Sequence, residues 1–346
     1  MHQHRNLPAM QAHVPAANLE QALHYAWDRR QLLHDDPDID VYRIFHGFSE
    51  GRADLDIEKF GPVARVVWKS ERELETDVLC RTLFELGDFE TIAVRCVHRR
   101  NPTTSLVELF RRDSTMSPSG LEPALTPMRP SASEPDAGTE TEIQVREFGL
   151  RFLVRPFANG NSGLFLDARP ARQWIREHSH HRRVLNLFAY TGSLGVAAAA
   201  GGATAVTHVD GKHNALERTR ANHELNDLPI DDRSLLRGNI YTHLPKAVQH
   251  GQRFDAVILD PPPQLPRVRG HKPKGQDYTT LARYATDVLE EDGWLLSFFS
   301  RYGQSRDEYE TQVTAASDGR LQPWWRGTSG DDFPEEKLRL TAWIKR

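Results

Sequence analysis

The chain has 346 residues, 38% hydrophobic and 27% charged, which exceeds one small domain and points to two folded units of a globular protein. Its 44 Lys and Arg against 48 Asp and Glu leave a formal net charge of −4, which argues against a nonspecific coat for nucleic acid, although local basic segments can still hold phosphates. No apolar run approaches the roughly 20 residues of a membrane-spanning helix, the start Met1-His-Gln-His-Arg-Asn lacks the apolar core of a secretory signal, and Cys80 and Cys96 are too few for a disulfide framework, so a reducing cytoplasm is the expected compartment.

Residues 18–34 place Leu19, Leu23, Ala26 and Leu33 at helical spacing behind Asn18, a natural N-cap, and predict an amphipathic helix. Val41-Tyr-Arg-Ile-Phe, Ala53-Asp-Leu-Asp-Ile and Val63-Ala-Arg-Val-Val-Trp gather β-favouring residues between glycine turns, and 71–86 reads as a helix, which together suggest a small α/β unit. The stretch 114–141 is rich in Pro, Ser, Glu and Thr without apolar periodicity and reads as a flexible linker. The expected organisation is a helical extension over 1–39, a small α/β domain over 40–113, that linker, and a catalytic domain over 142–346.

From Phe148 onward strands alternate with helices, the pattern of a parallel sheet. Strands are predicted at 150–154, 184–188, 205–209, 234–237, 256–259 and 294–299, with helices around 167–177 and at 194–200, 214–226 and 279–289. Two last strands near 321–326 and 338–344 form a closing hairpin. The fold class is therefore α/β, a Rossmann-like sheet with a smaller N-terminal α/β domain.

Four sequence features carry chemistry. Val184-Leu-Asn-Leu-Phe-Ala-Tyr-Thr-Gly-Ser-Leu-Gly is a strand entering a tight turn, with Gly192 and Gly195 where a ligand would approach and a helix begin, although any αβ unit can hold glycines there. Neither G-x-G-x-x-G nor G-x-x-x-x-G-K-[ST] is present, so dinucleotides and nucleoside triphosphates are disfavoured. S-adenosylmethionine (SAM), which carries no phosphate, needs neither motif. Asp210 ends the next strand, placed either to accept two ribose hydroxyls or to cap the following helix. Gly238 and Asn239 follow the third strand, where Asn239 is either an adenine contact or a plain turn residue. Phe254-Asp-Ala-Val-Ile-Leu-Asp260-Pro261-Pro262-Pro263 delivers a carboxylate at a strand end before a backbone fixed by prolines, a catalytic candidate to set beside a rigid loop without chemistry. The next segment carries Arg267, Arg269, His271, Lys272 and Lys274, either phosphate contacts or a solvated surface loop.

Taken together, Val41-Tyr-Arg-Ile-Phe-His-Gly, Ser162-Gly-Leu-Phe-Leu-Asp-Ala-Arg-Pro-Ala-Arg, Leu185-Asn-Leu-Phe-Ala-Tyr-Thr-Gly and Asp260-Pro-Pro resemble the bacterial 23S ribosomal RNA base methyltransferases, which include cytosine C5 and guanine N7 enzymes. The resemblance spans most of 40–346 and is strongest over 148–300. It implies a SAM-dependent class I methyltransferase in which Phe165, Asp167, Arg169 and Arg172 lie beside the cofactor, Asn186, Phe188, Tyr190, Thr191 and Gly192 line its pocket, and Asp210 holds the ribose.

There are two departures. Some members begin with a PUA domain that binds RNA, whereas here a short helical extension precedes the shared part. Cytosine C5 enzymes need a cysteine thiolate after the strand matching Leu295-Leu-Ser-Phe-Phe-Ser-Arg, where this chain has Phe299 and Ser300 and no cysteine beyond Cys96. The reading is methyl transfer to a base nitrogen, guanine favoured, in ribosomal RNA, without 5-methylcytosine formation. Asp260, Pro261 and Pro262 are the catalytic residues, and Pro263, the basic segment and the aromatics Phe299 and Tyr302 hold the substrate. No metal is called for. A methyltransferase of small molecules or proteins, and a noncatalytic SAM- or RNA-binding module, are the alternatives.

Overall fold

A computed structural model describes residues 18–97, 107–111, 141–158, 161–262, 278–299, 304–334 and 338–346. These residues form two compact units, one from those within Met1–Pro37 and Tyr42–Gly138, the other from those within Asp38–Val41 and Thr139–Arg346. The expected linker, apart from residue 141, lies outside the described residues, as do the basic segment, Pro263 and Tyr302. Among the described residues no helix is long and apolar enough to cross a membrane.

The first unit contains α1 (Leu19–Asp28), α2 (Gln31–His34), β1 (Val41–His46), β2 (Leu55–Phe60), β3 (Val63–Trp68), α3 (Thr76–Leu86), β4 (Thr91–Cys96) and β5 (Val107–Arg111). The strands form one sheet in the order β1-β2-β3-β4-β5. Asn18 caps α1 by accepting the Gln21 N–H at 2.9 Å, and Leu19, Ala22, Leu23 and Ala26 make its buried stripe. The helix ends at Asp28 rather than continuing through Leu33. Arg30 turns inward there, donating to the Arg43 carbonyl and to Glu50 in a buried ion pair at 2.9 Å.

The second unit opens with the hairpin β6 (Ile143–Glu147) and β7 (Leu150–Val154), antiparallel across Phe148 and Gly149, whose φ angles of 50° and 77° make the two-residue turn that matches strand twist. There follow α4 (Arg169–His178), β8 (Arg183–Leu187), α5 (Ser193–Ala200), β9 (Ala205–Asp210), α6 (His213–Leu225), β10 (Leu235–Arg237), α7 (Ile240–Gln249), β11 (Phe254–Leu259), α8 (Tyr278–Val288), β12 (Leu289–Phe299), α9 (Arg306–Ala316), β13 (Leu321–Thr328) and β14 (Arg339–Lys345). The sheet runs β10-β9-β8-β11-β12-β14-β13. Its first five strands are parallel, and β14 enters antiparallel between β12 and β13.

The stretches 256–259 of β11 and 294–299 of β12 are almost wholly apolar and buried because both of their faces are covered. On one of those faces Val257, Leu259, Leu295 and Trp343 pack with Leu281 and Ala285 of α8 into one buried cluster. Chain order reverses beside β8, which pairs with β9 on one side and β11 on the other. The loops leaving β8 and β11 therefore diverge and open a crevice at the carboxyl edge of the sheet, the usual ligand position in such folds.

Candidate functional site

The crevice begins with the turn after Leu187. Phe188, Tyr190 and Gly192 alternate through the left-handed region at φ 58°, 50° and 79°, a conformation that costs of order 1 kcal/mol or more at each non-glycine position. Neighbouring elements hold it in place. The Ala189 N–H donates to the Val209 carbonyl at 3.1 Å and the Tyr190 N–H to Asp210 Oδ2 at 2.9 Å. From α6, Thr219 Oγ1 donates to the Tyr190 carbonyl at 3.0 Å and Asn222 Nδ2 to the Thr191 carbonyl at 2.8 Å. The Thr191 hydroxyl donates in turn to the Gly163 carbonyl at 2.6 Å.

Protein packing by itself requires both glycines: a Cβ at Gly192 would strike the Thr219 side chain, and one at Gly195 the His208 ring. Gly195→Ala is expected to cost about 1–3 kcal/mol by overpacking, seen in thermal denaturation as a Tm lower by several degrees. Adding His208→Ser should recover part of that loss, and an unchanged Tm in the single variant would show that the ring can yield.

Asp210 ends β9 with each carboxylate oxygen accepting one backbone N–H, from Tyr190 and from Lys212, both at 2.9 Å. It ties two loops together and is not the cap of α6, whose N-cap is Lys212. Lone pairs on both oxygens stay available to hydroxyl donors. The Gly238 N–H donates to the Asp210 carbonyl at 2.9 Å. Asn239 is exposed and caps α7, its Oδ1 accepting the Tyr241 N–H at 2.9 Å, which leaves the amide Nδ2 as a donor.

Across the crevice, Asp260 follows β11, with Pro261 buried and Pro262 exposed. Removal from water, reinforced by the Asp167 carboxylate, pushes the Asp260 pKa up to about 7. Asp167 lies in the helical turn Leu166–Ala168 that leads into α4. Two buried ion pairs fix this segment. Arg172 binds Glu147 with two parallel bonds of 2.6 and 2.7 Å and donates from Nη1 to the Phe165 carbonyl at 2.9 Å, while Arg169 pairs with Asp332.

Several expected residues lie elsewhere. Asn186 is fully buried and donates from Nδ2 to His208 Nδ1 at 3.3 Å, behind the loop rather than on its open face. His208 Nε2 meets His223 Nε2 at 3.0 Å. Burial lowers the pKa of both rings, that of His223 to about 4. Thr191 is likewise enclosed. Phe299, expected to stack on a base, is a core residue at 4% exposure, with its ring 4.3 Å from Tyr309 in a stacked pair and the Arg339 guanidinium 5.9 Å from its centre. Sequence reasoning missed Thr219, Asn222, Glu147 and Asp332. Among these only the complementary charges of Arg172 and Glu147 left any signal, and it has no short-range spacing.

The strand order, its reversal beside β8 and the carboxylates at the ends of β9 and β11 define a Rossmann-like class I methyltransferase domain. Residues 127–318 match the family model described as S-adenosylmethionine-dependent methyltransferase. The chain is 26% identical over 288 residues to the ribosomal RNA large subunit methyltransferase I of Escherichia coli O1:K1 / APEC, covering 82% of this chain and 67% of that protein. It is 27% identical over 292 residues to the enzyme of that name from Shigella boydii serotype 18, with the same coverage. Among solved structures, SMU.776 complexed with SAH superposes with a TM-score of 0.75 at 19% identity, covering 97% of this chain and 83% of that one. The SAM-dependent methyltransferase of Agrobacterium tumefaciens gives 0.58 at 17%, covering 89% and 91%. These two structures share the fold. The chain belongs to the S-adenosylmethionine-dependent methyltransferase family, and SAM is its cofactor.

Proposed function

We propose that this enzyme methylates a base nitrogen, guanine favoured, in ribosomal RNA. The observation that carries the reading is Asp260 at the crevice, a carboxylate that is partly protonated near neutrality and so poised to exchange a proton with an acceptor. The ribosomal RNA relatives, matched over 82% of the chain, support the substrate class.

The donor set suits SAM. The Asp210 lone pairs match a ribose diol, and the Asn239 amide at the same edge matches an adenine ring nitrogen. Arg169 Nη1 is buried with no hydrogen-bond partner among the described residues, an unmet donor of the kind a cofactor carboxylate satisfies. Phe188, Tyr190, Gly192 and Gly238 supply the loop walls, with Phe165 and Asp167 beside them. When bound, SAM supplies a sulfonium methyl group that passes to the acceptor as the carbon–sulfur bond breaks and S-adenosylhomocysteine is left.

Where the acceptor nitrogen carries a hydrogen, as guanine N1 and N2 do, Asp260 accepts that hydrogen bond, aligns the lone pair and takes up the proton that methylation releases. Pro261 and Pro262 hold the following backbone rigid for the base, and Pro263, Arg267, Arg269, Lys272, Lys274 and Tyr302 are the proposed RNA contacts beyond the described residues. The covalent cytosine route lacks its nucleophile. The chain's two cysteines are both in the first unit, and burial raises the pKa of each, that of Cys80 to about 12.

Nucleoside mass spectrometry of ribosomal RNA from cells with and without the gene tests the proposal. One methylated purine nucleoside is expected to vanish with the gene and to return with the wild-type enzyme but not with Asp260→Ala. If no nucleoside changed, or if 5-methylcytosine were the one lost, the proposal would fall.

A further inference from the structure

We infer that Phe165 is the stacking platform for the acceptor base, a role the sequence reading gave to Phe299 and Tyr302. The inference rests on the reading that a base is methylated. Phe299 is excluded because Tyr309 occupies a face of its ring and the core encloses it. Tyr302 lies outside the described residues, and among those described Phe165 has the properties an aromatic base platform requires.

Its ring is 41% exposed although Leu164 and Leu166 on either side are buried. Leaving a phenyl group in water between two buried leucines forgoes the burial that drives folding. The exposure is not looseness of the chain. The Phe165 carbonyl accepts the Ala168 N–H at 3.2 Å and Arg172 Nη1 at 2.9 Å, and Arg172 is itself clamped on Glu147 inside the protein. The backbone is pinned while the ring is left open to solvent.

Position completes the case. The Phe165 ring centre lies 5.4 Å from that of Tyr190 in the cofactor loop, tilted by 51°. Two residues on, Asp167 is close enough to Asp260 for their charges to interact. Phe165 thus lies against the proposed cofactor loop and two residues from a carboxylate that acts on the proposed proton acceptor, within reach of a flat ring bound at this edge. The other large apolar side chains exposed among the described residues are Leu32 and Phe48, in the first unit, and Trp324, on the edge strand β13. A nucleobase is the fitting occupant because every base offers a π face to such a ring.

The test compares the wild type with Phe165→Ala, Phe165→Leu and Phe165→Tyr, using ribosomal RNA from cells lacking the gene as substrate and calorimetry for SAM binding. Phe165→Ala and Phe165→Leu should lose ten- to a hundredfold in kcat/KM for RNA, the range for one stacked base. Their SAM Kd should rise several-fold at most, well short of the fall in kcat/KM, while Phe165→Tyr keeps most activity. A SAM affinity that falls in step with turnover would make Phe165 a cover for the cofactor and overturn the inference, as would full activity in Phe165→Leu. A wild type that methylates no RNA at all defeats the parent reading instead, and the inference with it.

Discussion

Asp260→Asn is expected to lower kcat by roughly 10²–10⁴-fold, the contribution of a positioned proton acceptor, while making the protein more stable at pH 8. The two effects share one cause. The carboxyl is held at a pKa of about 7 against an ordinary 3.8, so between those values the folded state binds a proton that the unfolded state has released. Wild-type stability therefore falls as the pH rises from about 4 to about 7, and is lowest once the buried carboxylate is charged. At about 1.4 kcal/mol per pKa unit the full shift is worth no more than about 4 kcal/mol, and less because the side chain keeps some solvent. The neutral amide carries no such cost, so the gap between variant and wild type should open over that range and stay constant above it. In kinetics the sign is opposite. The charged form accepts the proton, so wild-type kcat/KM should climb with pH and level off above about 7. A flat profile from pH 5 to 9, or an Asn variant as active as the wild type, would remove Asp260 from the chemistry.

Arg172→Met should strongly destabilise the second unit. It strips the counter-ion from Glu147, which is buried and holds both of its carboxylate oxygens against the guanidinium. Breaking such a pair from one side costs about 3–5 kcal/mol, whereas replacing both partners by apolar groups is often close to neutral. Urea denaturation should therefore show a large loss for Arg172→Met and substantial recovery in Arg172→Met with Glu147→Met. The same variant releases the Phe165 carbonyl, so RNA turnover should remain low in the double variant even where stability returns. Recovery of both together would mean that Arg172 serves stability alone.

How far the molecule can be read from its sequence differs between scaffold and site. The parallel strands β8, β9, β11 and β12 are legible because each centres on a short β-favouring stretch between helical segments, and the carboxylates at the ends of β9 and β11 follow from position in the chain. The helices α7 and α9 are not read. Pro245 sits inside the first, and the second offers little apolar periodicity, although its capping box of Ser305 and Glu308 was available as a start signal. That omission explains the error at Phe299. With no helix expected at 306–316, Tyr309 had no place to stand, and the ring it covers looked open. Asn186 fails for a different reason: on a strand, neighbouring positions face opposite sides, and a motif does not say which side points to the mouth. The supports Glu147, Thr219, Asn222 and Asp332 are set by tertiary packing across long stretches of chain, which local pattern does not encode.

The bonds from α6 to the turn after β8 bear on affinity. Thr219 and Asn222 grip the carbonyls of Tyr190 and Thr191 in a turn where Phe188 and Tyr190 take left-handed angles that they would not choose alone. A cradle braced in this way is finished when the domain folds, so an arriving nucleoside does not have to freeze it. If this turn is the cofactor cradle proposed above, the entropy of ordering it is absent from the association step, and the attraction of the cofactor can go into holding it tightly.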